Sequence, residues 1–119
     1  MDIITAIIPA YNEAETIGRV IDVLRRSPFI GEVIVVSDGS TDATARIACD
    51  HGARVIALPV NMGKGFAVRY GVKQAATQYV ALFDADLRGL RERHVRQLLS
   101  PVLRGRADMS VGITDRGPF

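Results

Sequence analysis

Two aspartates separated by one residue, Asp84-Ala85-Asp86, follow the apolar run Tyr79 to Phe83. At an extended strand end, carboxylates so spaced can both reach one hard cation. Mg²⁺ takes one or two protein carboxylates, keeps several waters and completes its octahedron with substrate phosphate oxygens. The same pair can instead cap a following helix, and on spacing alone that reading wins; the position after a buried strand is what favours the cation. Asp38, in Val36-Ser37-Asp38-Gly39-Ser40-Thr41-Asp42, ends another apolar run. Its carboxylate can accept from a nucleobase N–H, with Gly39 letting a flat ring approach the backbone, or it can form an Asx turn that starts a helix, the role expected rather of Asp42. Glu13 suits either a ribose hydroxyl or the dipole of the helix that follows it. Asn61-Met62-Gly63-Lys64-Gly65 sets a lysine between two glycines just before a helix, a geometry suited to an anionic group.

Other chemistries lack their residues. Phe66 after Gly65 breaks a Walker A pattern, and no Gly-x-Gly-x-x-Gly follows the first apolar run. His51 and His94 have no carboxylate or cysteine at metal-ligand spacing and are expected at helix ends or on the surface. Cys49 is expected as a small packed helix residue, and Tyr70 as part of an apolar core stripe.

These residues need elements to hold them. Ile3 to Ile8 is a β-branched run stopped by Pro9, the pattern of a strand buried on both faces. Asn12 is a candidate cap for a helix carrying Ile17, Val20, Ile21 and Leu24 at helical spacing. Glu32 to Val36 reads as a second strand, and a short helix reaching about His51 follows its turn. Arg54 to Leu58 reads as a third strand. A helix with Val68, Val72, Ala75 and Ala76 on one face comes next, and Tyr79 to Phe83 forms a fourth strand. Val95, Leu98, Leu99, Val102 and Leu103 mark a last helix that Pro101 should kink or split, and Asp108 to Ile113 is a candidate fifth strand. Alternating strands and helices predict an α/β class, with a mostly parallel Rossmann-like sheet and helices on both faces. Ligands of such sheets bind beyond the carboxyl ends of the strands. That rule gathers Tyr11, Asn12, Glu13, Asp38, Asn61 to Gly65, Asp84 and Asp86 at one edge.

With 119 residues, 48% hydrophobic and 24% charged, the chain is expected to form a single domain, residues 1–119, with one core. Its apolar runs fall far short of the roughly 20 residues that span a bilayer. The N-terminus lacks a secretory pattern, and one cysteine allows no internal disulfide, so a cytoplasmic setting is expected. The overall charge of +2 hides an asymmetry: residues 1–60 hold five basic and eight acidic side chains, residues 61–119 ten and five. The arginines at 88, 91, 93, 96, 104 and 106 read mainly as a solvated helix face. No aromatic residue alternates with them, so nucleic-acid binding is not expected.

The ordered set Pro9-Ala10-Tyr11-Asn12-Glu13, Val36 to Asp42, Asn61 to Gly65 and Asp84-Ala85-Asp86-Leu87 resembles the nucleotide-sugar-binding half of family 2 glycosyltransferases with the GT-A fold. The dolichol-phosphate mannosyltransferase-like enzymes and the glucosyl-3-phosphoglycerate synthases are nearest in pattern. The resemblance covers about Ile3 to Val111. It implies a nucleoside-diphosphate sugar, UDP- or GDP-linked, bound with Mg²⁺ or Mn²⁺ and transferred to an acceptor hydroxyl. Pro9, Ala10, Tyr11 and Glu13 would line the nucleoside pocket, Asp38 would contact the base, and Gly63 and Lys64 would lie near base or diphosphate. Asp84, Ala85 and Asp86 would meet ribose and metal, with Asp86 and Asp84 as the metal ligands. Family members usually carry two consecutive aspartates where this chain has Ser37-Asp38. They also continue into an acceptor-binding half with the general base; this chain is expected to lack that half, and so to be weakly active or inactive and to self-associate through its fourth strand. The alternatives are a non-catalytic nucleotide-sugar-binding fragment, an Asp-x-Asp phosphatase, or a phospho-receiver-like signalling domain. The last two need their acidic residues after strand one, where this chain has Tyr11-Asn12-Glu13.

Overall fold

The computed structural model describes residues 4–103. Its elements follow the order β1 (Ile4–Ala10), α1 (Ile17–Arg25), β2 (Ile30–Asp38), α2 (Thr44–Asp50), β3 (Arg54–Leu58), α3 (Lys64–Gln74), β4 (Tyr79–Leu82) and α4 (Glu92–Leu103). The four strands form one parallel sheet in the order β3-β2-β1-β4. From β1 the chain steps through β2 to β3, then returns across the sheet to place β4 on the other side of β1. The reversal makes the carboxyl ends of β1 and β4 the topological switch point, where such sheets open a crevice.

Hydrophobic patterning explains the layers. β1 is buried along nearly its whole length, because its alternate side chains meet helices on opposite faces. Ala6, Ile8 and Ala10 join Val33 and Val35 in the larger cluster, together with Ile17, Val20, Ile21 and Leu24 of α1, Ala48 of α2, and Val95 and Leu99 of α4. Ile7, Ile34 and Val36 point the other way, onto Ala67 of α3. The α1 stripe is the one the sequence predicts; burying its four side chains stabilises the fold by at most about 12 kcal/mol.

The second face is built differently from expectation. α3 meets the sheet through Ala67 and Gly71, and a β-carbon on Gly71 would lie 2.7 Å from Ile7 Cγ2. Small residues let α3 approach closely, so Val72 stays exposed and Tyr70 stacks on Phe66 at the surface rather than in the core. Val80 and Leu82 of β4 are 41% and 52% exposed at the edge where self-association was expected.

Four further expectations need correction or fall outside the described residues. Cys49 is exposed on α2 rather than packed. α4 is not split at Pro101 but continues to Leu103, the last described residue. Asn12 does not cap α1, whose flanking residue is Thr16; its amide is used elsewhere, as described below. The candidate fifth strand, 108–113, lies outside the described residues. Among the described residues no helix is long and apolar enough to cross a membrane.

Candidate functional site

Each strand hands its last residue to a loop, and the loops hydrogen-bond to one another. After β1, Asn12 adopts a positive φ of 52°, a conformation asparagine tolerates better than most residues. There its side-chain oxygen accepts from the Thr41 N–H at 2.8 Å and the Asp42 N–H at 3.3 Å. The turn after β2 answers: Ser40 Oγ accepts from Asn12 N–H, Thr44 Oγ1 from Glu13 N–H, and Asp42 Oδ2 from Ala14 N–H. Asp42 also accepts from the Thr44 hydroxyl and backbone N–H, and the Thr44 hydroxyl is the main reason its carboxyl pKa lies below the ordinary value. The Asp-Gly-Ser-Thr-Asp run is therefore a clasp between two loops.

Asp38 joins the clasp to a third loop. It is 4% exposed, and its carboxylate accepts from Met62 N–H at 2.6 Å and Gly63 N–H at 3.0 Å. Gly39, at φ 72°, lies directly beneath that loop; a β-carbon there would sit 2.6 Å from the Val60 carbonyl carbon. Expected to face a base, the Asp38 carboxylate is instead turned to the backbone just before α3. Gly63, at φ 97°, then starts α3 with Lys64 as its first residue. The fourth loop is tied in by the buried Thr16, whose hydroxyl donates to the Ala85 carbonyl at 2.8 Å.

What these braces hold in place is a cleft of about 210 Å³ lined by Pro9, Ala10, Tyr11, Glu13, Lys64, Asp84, Ala85 and Asp86. It lies at the switch point between β1 and β4. Of the ten residues the resemblance puts at the site, eight line this cleft; Asp38 and Gly63 are not among the lining residues. Across it, Lys64 Nζ donates to Asp84 Oδ1 at 2.7 Å. Burial raises the Glu13 carboxyl pKa, and the charges of Asp86, Asp42 and Asp84 raise it further against the opposing charge of Arg88. Several carboxylates thus share one negative potential, the setting in which a cation binds.

A larger cavity of about 380 Å³ lies at the amino ends of β2 and β3, lined by residues including Arg25, Glu32, Gly52 and Arg54. Volume alone would select it. Yet its charged residues are partly committed: Arg25 donates to the His51 carbonyl, and Arg54 lies 4.0 Å from Glu32. It also sits at the wrong end of a parallel sheet. The bracing residues Asn12, Thr16, Ser40 and Thr44 were not marked as a network by the sequence, although Asn12 beyond a strand end and the polar run from Ser40 to Thr44 were its visible signs.

The comparisons agree with this geometry. The sequence matches the family described as Glycosyl transferase family 2 over residues 5–118. It is 38% identical over 102 residues to 4,4'-diaponeurosporenoate glycosyltransferase of Staphylococcus aureus (strain USA300), covering 82% of this chain and 27% of the relative. Its fold is similar to that of Mycobacterium tuberculosis glucosyl-3-phosphoglycerate synthase, solved with Mn²⁺, UDP-glucose and phosphoglyceric acid. There the TM-score is 0.79 and the identity 34%, over 87% of this chain and 40% of that one. Mannosyl-3-phosphoglycerate synthase from Rubrobacter xylanophilus gives a TM-score of 0.77 at 32% identity, over 85% and 36% of the two chains. The chain therefore spans about a quarter to two-fifths of the length of these relatives, and it belongs to glycosyltransferase family 2.

Proposed function

We infer that the cleft binds a nucleoside-diphosphate sugar, UDP- or GDP-linked, together with Mg²⁺ or Mn²⁺, as the donor side of sugar transfer to an acceptor hydroxyl. The observation that carries this reading is the convergence of Tyr11, Glu13, Lys64, Asp84 and Asp86 on one cleft at the switch point. Support comes from the related synthase, whose structures contain UDP with Mn²⁺ or with Mg²⁺.

The donor set suits a hard cation. Among the described residues no group of three or more His, Cys, Asp or Glu side chains is placed to hold a metal. Asp84 and Asp86 would thus supply a sparse carboxylate pair, with water and phosphate oxygens filling the shell. A cation so held neutralises charge growing on the departing nucleoside diphosphate. Tyr11, 47% exposed at the cleft mouth, offers a flat face to the nucleoside, and Glu13 offers an acceptor for a ribose hydroxyl. Lys64 and the amino end of α3 present positive charge toward the diphosphate. Asp38 acts behind them by fixing the loop that carries Lys64. None of the described residues is assigned as general base, so the function proposed for this chain is donor binding.

Calorimetric titration with UDP-, GDP- and ADP-sugars, with and without Mn²⁺, tests the reading. Metal-dependent binding of a UDP- or GDP-sugar supports it; metal-independent binding, or none by any of them, overturns it.

A further inference from the structure

Among the described residues lining the cleft, Lys64 is the basic one. Its ammonium lies 2.7 Å from Asp84 Oδ1, on one of the two carboxylates that would hold the divalent ion. The Lys64 and Asp84 side chains are 69% and 36% exposed, so the pair is screened by water and exchanges readily. By contrast the backbone beneath it is fixed, because the Asp38 carboxylate holds the N–H groups of Met62 and Gly63. A four-carbon stem on a fixed Cα lets the ammonium swing by several ångströms without moving α3. Two cations contend for one group of carboxylates, and where both crowd it each weakens the other's hold.

We propose that Lys64 is the resting counter-ion of Asp84, displaced by the divalent ion and thereby released to the diphosphate. The proposal rests on the donor-site reading above and adds an order to it. Without the metal the lysine pairs with Asp84. When the metal arrives, the ammonium is repelled from the carboxylates toward the phosphate oxygens. Lys64 therefore lowers affinity for the metal alone and raises affinity for the nucleotide. Removing its charge shifts the two affinities in opposite directions, which neither a purely structural lysine nor a plain phosphate-binding lysine would do.

The test is Mn²⁺ titration of the 119-residue chain without nucleotide, read from the electron-paramagnetic-resonance signal of free Mn²⁺. Wild type is compared with Lys64→Gln, Lys64→Arg and Asp84→Asn, with thermal melting confirming that each is folded. Losing one positive charge about 4 Å from a divalent ion should tighten Mn²⁺ binding by at most about thirtyfold in Lys64→Gln. Lys64→Arg should stay near wild type, Asp84→Asn should lose most Mn²⁺ binding, and Lys64→Gln should bind UDP more weakly. If Asp84→Asn loses Mn²⁺ while Lys64→Gln leaves its affinity unchanged or weaker, the counter-ion role is refuted and the donor-site reading stands. If neither wild type nor Lys64→Gln binds Mn²⁺, both fail together.

Discussion

In Asp38→Asn one carboxylate oxygen becomes an amide nitrogen facing a backbone N–H. The wild-type carboxylate, 4% exposed, accepts from Met62 and Gly63 at 2.6 and 3.0 Å. The asparagine keeps one acceptor but loses its charge, and it leaves one N–H facing a donor. Weakening one charge-assisted bond costs about 1 kcal/mol and orphaning a part-buried N–H about 1 more, so the loss should be about 2 kcal/mol. That is a large part of the total stability of a domain this size. With a urea dependence of about 1.5 kcal/mol per molar, the unfolding midpoint should fall by about 1.3 M. Because the displaced loop carries Lys64, affinity for UDP, GDP and ADP should fall by one common factor. The brace is refuted if the midpoint hardly moves and the loss is confined to one base, the behaviour of a carboxylate that reads the base.

Three other substitutions probe neighbouring links. Gly39→Ala forces a left-handed alanine against the Val60 carbonyl carbon; it should cost at least about 2 kcal/mol in urea unfolding and shift the Lys64 amide resonance, and an unchanged midpoint would contradict the close approach. Thr16→Val removes the hydroxyl held by the Ala85 carbonyl; about 1 kcal/mol of stability and several-fold in Mn²⁺ affinity should go, whereas an undiminished affinity would show that Asp84-Ala85-Asp86 needs no such tie. Glu13 carries the pH dependence. Its folded carboxyl pKa is raised above the ordinary 4.5, so the folded chain holds that proton more tightly than the unfolded chain, and Glu13 costs stability once pH rises through its folded pKa. Glu13→Gln should therefore stabilise the fold at about pH 7, with the gain vanishing below the ordinary value. A gain independent of pH would show that charge is not the cause.

The fold was legible because β-branched runs and the α1 stripe repeat with unambiguous periods. Ile17, Val20, Ile21 and Leu24 lie where their spacing puts them. α3 was harder to read, since its contact with the sheet is made by Ala67 and Gly71, residues whose small size carries little hydrophobic signal. Exposed Tyr70 follows from that: a helix seated close on small residues leaves its aromatic ring outside. At the cleft, the residues after each strand were identifiable because the carboxyl edge of a parallel sheet gathers them by topology. The direction of each side chain was not. Asp38 ends β2 and Asp84 lies just past β4, and they carry the same group, yet one turns inward to backbone N–H groups and the other meets Lys64. That difference depends on how the 60–63 loop crosses Gly39, a contact between segments about 20 residues apart that no local pattern encodes.

Amide chemical-shift mapping with Mg²⁺ and UDP tests most directly whether the three strand-end loops that line the cleft act as one site. Shifts should appear together at residues 11–13, 63–65 and 84–86, while Arg25, Gly52 and Arg54 around the opposite cavity stay still. Shifts centred on that opposite cavity, or none in the 84–86 loop, would contradict it.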